Sequence, residues 1–434
     1  MRRASRLGGL VLGALLLAAC QGSVPTPTPT PTPVAINQTS SAPAVPSIPL
    51  AVYDGPTLDG KGHVVYLVGV GSYGEPPCQP DCSFAAKETA KVLATAVGGR
   101  RTAPIMKCIN CQPPPLPYLS TSRTKVYFLD GDSRVRSLGR DGKVSDIATI
   151  PVAPDQAVVF AVSPDDTRIA VALLDYSKDP VSETLYVSTL SGSNRVEVLG
   201  STSSSYWPVG WNEGKVILAT GSPWSTGPNQ YNATGFALID PVNGAQPVVP
   251  GTGDCLPTGA ITPAGFACVT KPGSTCVGAS VGSTKAGPVY SSCLRRVDWS
   301  GKETTFLITS EYGINDMIVH HAALSTDGHV LITDTLFWVS EPGAGGYPGG
   351  QNGFTSSVPF NAFPDQPGIG WLDPHHVSFL FINAAGGSTY QRIYALDGSY
   401  STFKNVYFVD AGGSSFVPGG TVIGQLMGTL PGGL

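Results

Sequence analysis

Charge is scarce in this sequence: Asp, Glu, Lys and Arg make up 13% of 434 residues, and the net charge is only −4. No basic stripe is present, which excludes the electrostatic footprint of a nucleic-acid-binding protein. No apolar run reaches the roughly 20 residues that a membrane-spanning helix needs. Also missing are G-x-S-x-G, H-E-x-x-H and a phosphate-binding glycine loop leading from a strand into a helix, so the common signatures of acyl-transfer, metalloprotease and nucleotide chemistry are absent. Gly343 to Gly353 is glycine-rich but has no lysine, and reads as a loop. Abundant instead are 53 glycines and 39 prolines among many Val, Tyr, Thr and Ser residues. That composition suits short strands joined by tight turns and disfavours long helices.

The N-terminus carries an address. Arg2, Arg3 and Arg6 precede an apolar stretch from Leu7 to Ala19, the layout of an export signal. Leu17-Ala18-Ala19-Cys20 closes the stretch, and here the chain resembles a bacterial lipoprotein. The resemblance implies a signal peptide over residues 1–19 recognised at Leu17, Ala18 and Ala19. It also implies acylation of Cys20, which becomes the mature N-terminus and holds the protein on the extracytoplasmic side of a membrane. From Pro25 to Pro33 every second residue is proline, which fixes φ and removes hydrogen-bond donors, so residues 20–49 form a linker. In a polyproline-like conformation it would reach up to roughly 90 Å.

Beyond Cys20 there are eight cysteines in a chain expected to leave the reducing cytosol, so disulfides are the default. Cys78, Cys82, Cys108 and Cys111 form one cluster and Cys255, Cys268, Cys276 and Cys293 another, with two bridges expected in each and the pairing open. A four-thiolate zinc site from the first cluster is the alternative, but its spacing fits only in part.

Residues 50–434 carry a repeat: a turn rich in Asp, Gly, Pro or Asn followed by an apolar strand. The clearest copies are Ser163-Pro164-Asp165-Asp166-Thr167 before Arg168 to Val171, and Ser325-Thr326-Asp327-Gly328 before His329 to Ile332; weaker ones begin near Thr121, Trp211, Thr262 and Trp371. Within a unit, Lys125 to Leu129, Arg134 to Leu138 and Val144 to Ile150 are separated by Asp-Gly turns, the pattern of an antiparallel meander. The spacing of the anchors, about 40 to 65 residues, is that of propeller blades with variable loops. In these motifs the chain resembles the TolB-like β-propeller superfamily, over roughly residues 115 to 400. Asp166 stands where that superfamily usually has glycine. The expected fold is an all-β propeller of seven blades, with six as the alternative. Asp59 to Tyr66 supplies a front unit and Phe416 to Gly424 a partial tail unit, and the two ends share one closing blade. An insertion over residues 74–114 interrupts the pattern. Its segment Ser83 to Val97 has good helix formers, an N-cap at Ser83 and Gly98-Gly99 at its end, and a helix is predicted there.

Candidate chemistry is thin. His320-His321 and His375-His376 are adjacent pairs, and successive residues of a strand face opposite sides, so neither pair is a chelate. His63, His329 and His376 each precede a valine that opens a strand, which points to packing or a turn contact. His320 or His321 is the more interesting, since the strand before the anchor usually lines a propeller's central channel. Asp130 and Asp132 resemble a pair of calcium ligands, but Asp-Gly turns recur in propellers without metal. Tyr206, Trp207, Trp211, Trp224 and Tyr231 gather in one unit, and Phe337, Trp338, Tyr347, Phe354, Phe360 and Phe363 in another; they are expected mainly in the core, and if outward would suit sugar rings or an extended peptide. No catalytic residue, metal ligand or cofactor is assigned. The expectation is a monomeric binding or scaffold module at the cell envelope, with an envelope protein or glycan as ligand and no nucleic acid. The alternative is a hydrolase or lyase acting on glycans or lactones at the channel mouth.

Overall fold

The structure, a computed structural model, describes residues 50–57, 59–71, 89–107, 116–201, 205–224, 231–242, 246–271, 283–284, 287–288, 291–310, 322–328, 330–332, 338–340, 370–373, 376–383, 388–395, 400–402 and 425–430. These residues form an all-β propeller of antiparallel sheets, with no helix among them. Seven meanders of three or four strands are present among the described residues, with one further two-stranded hairpin (Ser283–Thr284 and Gly287–Pro288).

The first sheet joins Leu50–Pro56, Gly62–Gly71 and Thr89–Gly99 to Gln425–Leu430 from the other end of the chain. The second holds Leu119–Thr121, Lys125–Asp130, Arg134–Gly139 and Val144–Thr149; the third holds Gln156–Val162, Arg168–Asp175, Ser182–Thr189 and Val196–Ser201. Ser205–Asn212, Lys215–Gly221 and Gly235–Ile239 make the fourth, and Cys255–Thr262, Gly265–Thr270, Ser291–Val297 and Glu303–Ser310 the fifth. The sixth and seventh open with Ala322–Leu324 and Gly370–Asp373. Gln425–Leu430 pairs with Leu50–Pro56 and lies against both Gly370–Asp373 and Leu119–Thr121, so the two ends close one sheet. The tail strand sits beyond Phe416 to Gly424, which lie outside the described residues.

Sheet faces pack on sheet faces, and the sequence shows why. In Arg168–Asp175, Ile169 and Val171 face the second sheet while Ala170, Ala172 and Leu174 face the fourth. Both sides of the strand are buried, hence a nearly continuous apolar run where a half-exposed strand would alternate. Each fully buried Val, Leu or Phe here contributes about 1.5–3 kcal/mol.

The repeated turn is built by its own side chains. Ser163 Oγ donates to Asp165 Oδ1 at 2.6 Å and accepts the Arg168 N–H at 2.9 Å. Ser325 likewise donates to Asp327. Asp166, in the position where glycine is usual, has φ 59°. A left-handed Asp carries a conformational cost, and its carboxylate offsets it by accepting the hydroxyls of Thr124 and Tyr127 in the second sheet at 2.6 and 2.7 Å. The deviation from the repeat is therefore a bolt between sheets. Two tryptophans do the same at equivalent places: Trp211 Nε1 donates to Ala161 O and Trp371 Nε1 to Ala323 O, each acceptor two residues before the turn serine of the preceding sheet.

The predicted helix is overturned. Thr89–Gly99 is a strand paired along its length with Gly62–Gly71, while Ser83 to Glu88 lie outside the described residues. Ala94, Ala96 and Gly98 are buried and Leu93, Thr95 and Val97 exposed, a period of two. Alanine, a helix former in isolation, is chosen here because a small side chain fits beneath the neighbouring sheet, and tertiary packing overrides propensity.

Cys255 and Cys268 form a disulfide across paired strands of the fifth sheet, and Cys293 is also disulfide-bonded. Cys78, Cys82, Cys108, Cys111 and Cys276 lie outside the described residues, as do Leu17, Ala18, Ala19 and Cys20.

Candidate functional site

After the first sheet's outer strand ends at Gly99, the chain crosses one end of the propeller towards the second sheet's inner strand. Two aspartates of the turn between Lys125–Asp130 and Arg134–Gly139 hold this crossing. Asp130 Oδ1 accepts the Gly99 N–H at 2.7 Å and Asp132 Oδ1 the Thr102 N–H at 2.6 Å, while Arg134 and Arg136 bond the other oxygen of Asp130. Asp130 is pulled upward by burial, but the Gly99 amide and both arginines hold its carboxyl below the usual range. The pair singled out as possible calcium ligands is thus engaged in positioning backbone. Among the described residues no group of three or more His, Cys, Asp or Glu side chains is arranged to hold a metal.

The crossing segment roofs a pocket of about 300 Å³ lined by Arg101, Thr102, Pro104, Tyr118, Asp132 and Gln156, with apolar walls from Leu116, Ala157 and Val158. Arg101 reaches inward: Nη1 donates to Leu116 O at 3.1 Å and Nη2 to Val158 O at 2.8 Å, and the guanidinium stands 5.8 Å from the Tyr118 ring centroid. Burial lowers its pKa. Gln156 Oε1 accepts the Ala153 N–H at 3.1 Å, which orients the amide.

Behind Tyr118 lies a buried acid–base chain. The Tyr118 hydroxyl donates to Asp54 Oδ2, and His63 Nδ1 donates to Asp54 Oδ1 at 2.7 Å. His63 Nε2 donates to Leu129 O at 2.8 Å. A carbonyl only accepts and so does a carboxylate, so both ring nitrogens carry protons and the ring is an imidazolium. Burial pulls the His63 pKa down, but the hydrogen bond and charge of Asp54 outweigh it and the net direction is up. Burial and the neighbouring Asp54 charge also raise Tyr118. Asp, His and Tyr invite a catalytic reading, yet no nitrogen of His63 is left to face a substrate. The contact expected of His63 is real, and it joins the first sheet to the second. His320, His321, His329 and His375 lie outside the described residues, and only the backbone of His376 is described.

Gly98 is the register partner of His63, and a Cβ there would land on the His63 ring, nearest Nε2. Because both ring nitrogens are held, the ring cannot swing away. Gly98→Ala is expected to destabilise the protein by about 1–3 kcal/mol, as overpacking does, read as a lower urea midpoint with an unchanged slope.

The aromatic cluster of the fourth sheet is core. Trp207, Trp211 and Tyr231 are buried, Tyr206 and Trp224 pack against them, and Trp207 Nε1 donates to Tyr231 O at 2.9 Å. The group around Phe337 to Phe363 lies outside the residues whose side chains are described. Glu183, buried on Ser182–Thr189, was not foreseen: Oε2 accepts the Tyr206 N–H at 2.5 Å, Oε1 has no partner, and burial pushes its pKa up to about 8 against the pull of that amide.

No protein-family model matches the chain. No curated protein matches it either. Among solved structures, it is similar to an oligogalacturonate lyase in complex with manganese (10% identity, TM-score 0.45, covering 81% of this chain and 91% of that one). Others are an oligogalacturonate lyase from Vibrio parahaemolyticus (9%, 0.43, 76% and 88%) and the β-propeller domain of the Trilobed protease from Pyrococcus furiosus (12%, 0.37, 66% and 83%). At such identities the likeness says nothing of chemistry.

Proposed function

We propose that this chain is a bacterial lipoprotein whose TolB-like propeller, held outside the cytoplasmic membrane through Cys20, is a binding module that takes its ligand in the pocket under the crossing segment. One observation carries the preference for binding over catalysis. The buried acid–base groups behind the pocket are committed to each other: His63 to Asp54 and Leu129 O, Tyr118 to Asp54. A general acid or base needs a free atom within about 2.6–3.2 Å of its substrate, and this set offers none. The export motif and the Cys255–Cys268 disulfide both support an oxidising compartment.

Purified full-length protein is expected to leave polysaccharide and lactone panels uncleaved; turnover of any of them would favour the hydrolase or lyase reading. For the anchor, Cys20→Ala is expected to move the protein from the membrane fraction to the medium or leave it unprocessed. Retention at the processed size would refute lipidation.

A further inference from the structure

Arg101 carries a charge with no ion-pair partner among the described residues, the Asp132 carboxylate favouring it only from beyond ion-pair distance. Its guanidinium has five N–H donors, and two go to the carbonyls of Leu116 and Val158, which neutralise nothing. Asp132 comes to the rim of the same pocket, exposed and with one oxygen on the Thr102 amide. A half-buried cation held on neutral carbonyls is short of negative charge close by, and a bound anion supplies it through charge-assisted, often bidentate hydrogen bonds. The rest of the lining selects among anions. Tyr118, Pro104, Leu116, Ala157 and Val158 offer an aromatic edge and aliphatic walls, which suit a carbon skeleton and not a hydrated inorganic ion. At about 300 Å³ the pocket is at the small end of ligand sites.

We infer that the pocket binds a small organic carboxylate, its carboxylate on Arg101 and its body against Tyr118 and Leu116, with the Gln156 amide as a further donor. This deepens the binding reading and rests on it. The carboxylate sits between the second and third sheets, roofed by residues 101–104, so occupancy also tightens the crossing segment.

Benzoate and its neutral isostere benzamide are suitable probes, titrated into the full-length protein by calorimetry and by thermal shift. Benzoate is expected to bind and to raise the unfolding temperature, and benzamide to do neither. Arg101→Gln is expected to weaken benzoate by about tenfold or more, the loss of a charge-assisted pair. Because Arg101 also pins two carbonyls, Gln156→Glu is the companion variant. It keeps the acceptor for the Ala153 amide and sets a negative charge against the ligand, so benzoate binding is expected to fall while the fold is unchanged. Equal binding of benzoate and benzamide overturns the carboxylate assignment, and benzoate affinity indifferent to both variants overturns the pocket as its site. Binding of neither probe overturns it as well. The wider binding reading fails separately, on turnover in the polysaccharide and lactone assays.

Discussion

Unfolding free energy is expected to fall as pH rises from 4.5 towards 8, and Glu183→Gln to abolish most of that fall. The Glu183 carboxyl titrates near its ordinary value of 4.5 in the unfolded chain and at about 8 in the folded one, because burial penalises the charged form more than the Tyr206 amide favours it. Below 4.5 both states are protonated and the folded state is at its best. Between the two values the unfolded chain releases the proton and the folded one must keep it, so stability declines with pH; above 8 the folded state holds a buried carboxylate with one oxygen unpartnered. A shift of this size is linked to a loss of up to about 5 kcal/mol across the window. The side-chain amide introduced by Glu183→Gln keeps an acceptor for the Tyr206 N–H and has no proton to lose. Urea unfolding of both proteins at about pH 5 and about pH 8 checks this: parallel losses in the two would remove Glu183 as the cause. His63 acts in the same direction, its contribution present below 6.5 and lost as pH rises through its elevated folded value. At the acid end Asp130, Asp165, Asp254 and Asp298, held below 3.8 by their hydrogen bonds, lose their contribution as pH falls. Maximal stability is therefore mildly acidic.

The second large effect lies at Asp54. Asp54→Ala removes the acceptor of both the His63 Nδ1–H and the Tyr118 hydroxyl, leaving a buried cation and a half-buried phenol unpaired at the joint between the first two sheets. Breaking a buried charged pair from one side costs about 3–5 kcal/mol. The titration of His63 also responds, since Asp54 is what sustains its charge against burial. The expected result is a large drop in stability with the His63 proton resonance titrating at lower pH. A small drop with an unmoved titration would mean that Leu129 O alone holds the ring.

How much of this could be read in advance varies with the distance over which the cause acts. The turn at Ser163 and the meander from Lys125 to Thr149 are encoded within a few residues, and both were legible. At Thr89–Gly99 the local signal pointed the wrong way: alanines that serve as spacers between sheets look like helix formers when the partner strand is unseen. The role of Asp130 and Asp132 was invisible for a related reason. Their acceptors meet amides some 30 residues earlier, and a turn motif carries no hint of what will be laid across it. His63 could be placed at a strand start, but its partner Leu129 O belongs to a backbone that any sequence would supply. Glu183 had no signal at all, being one acidic residue in an ordinary strand.

The pairing of Leu50–Pro56 with Gln425–Leu430 bears on how such a chain comes into being. The first described strand remains one neighbour short until the last described strand arrives, so the joint with the greatest sequence separation, and the largest loop-closure entropy, is also the one that seals the ring. During synthesis the early sheets can form in order, while an open edge persists at the front. A partner that recognises exposed strand edges therefore has, for this chain, a long window in which to act and a definite event that ends it.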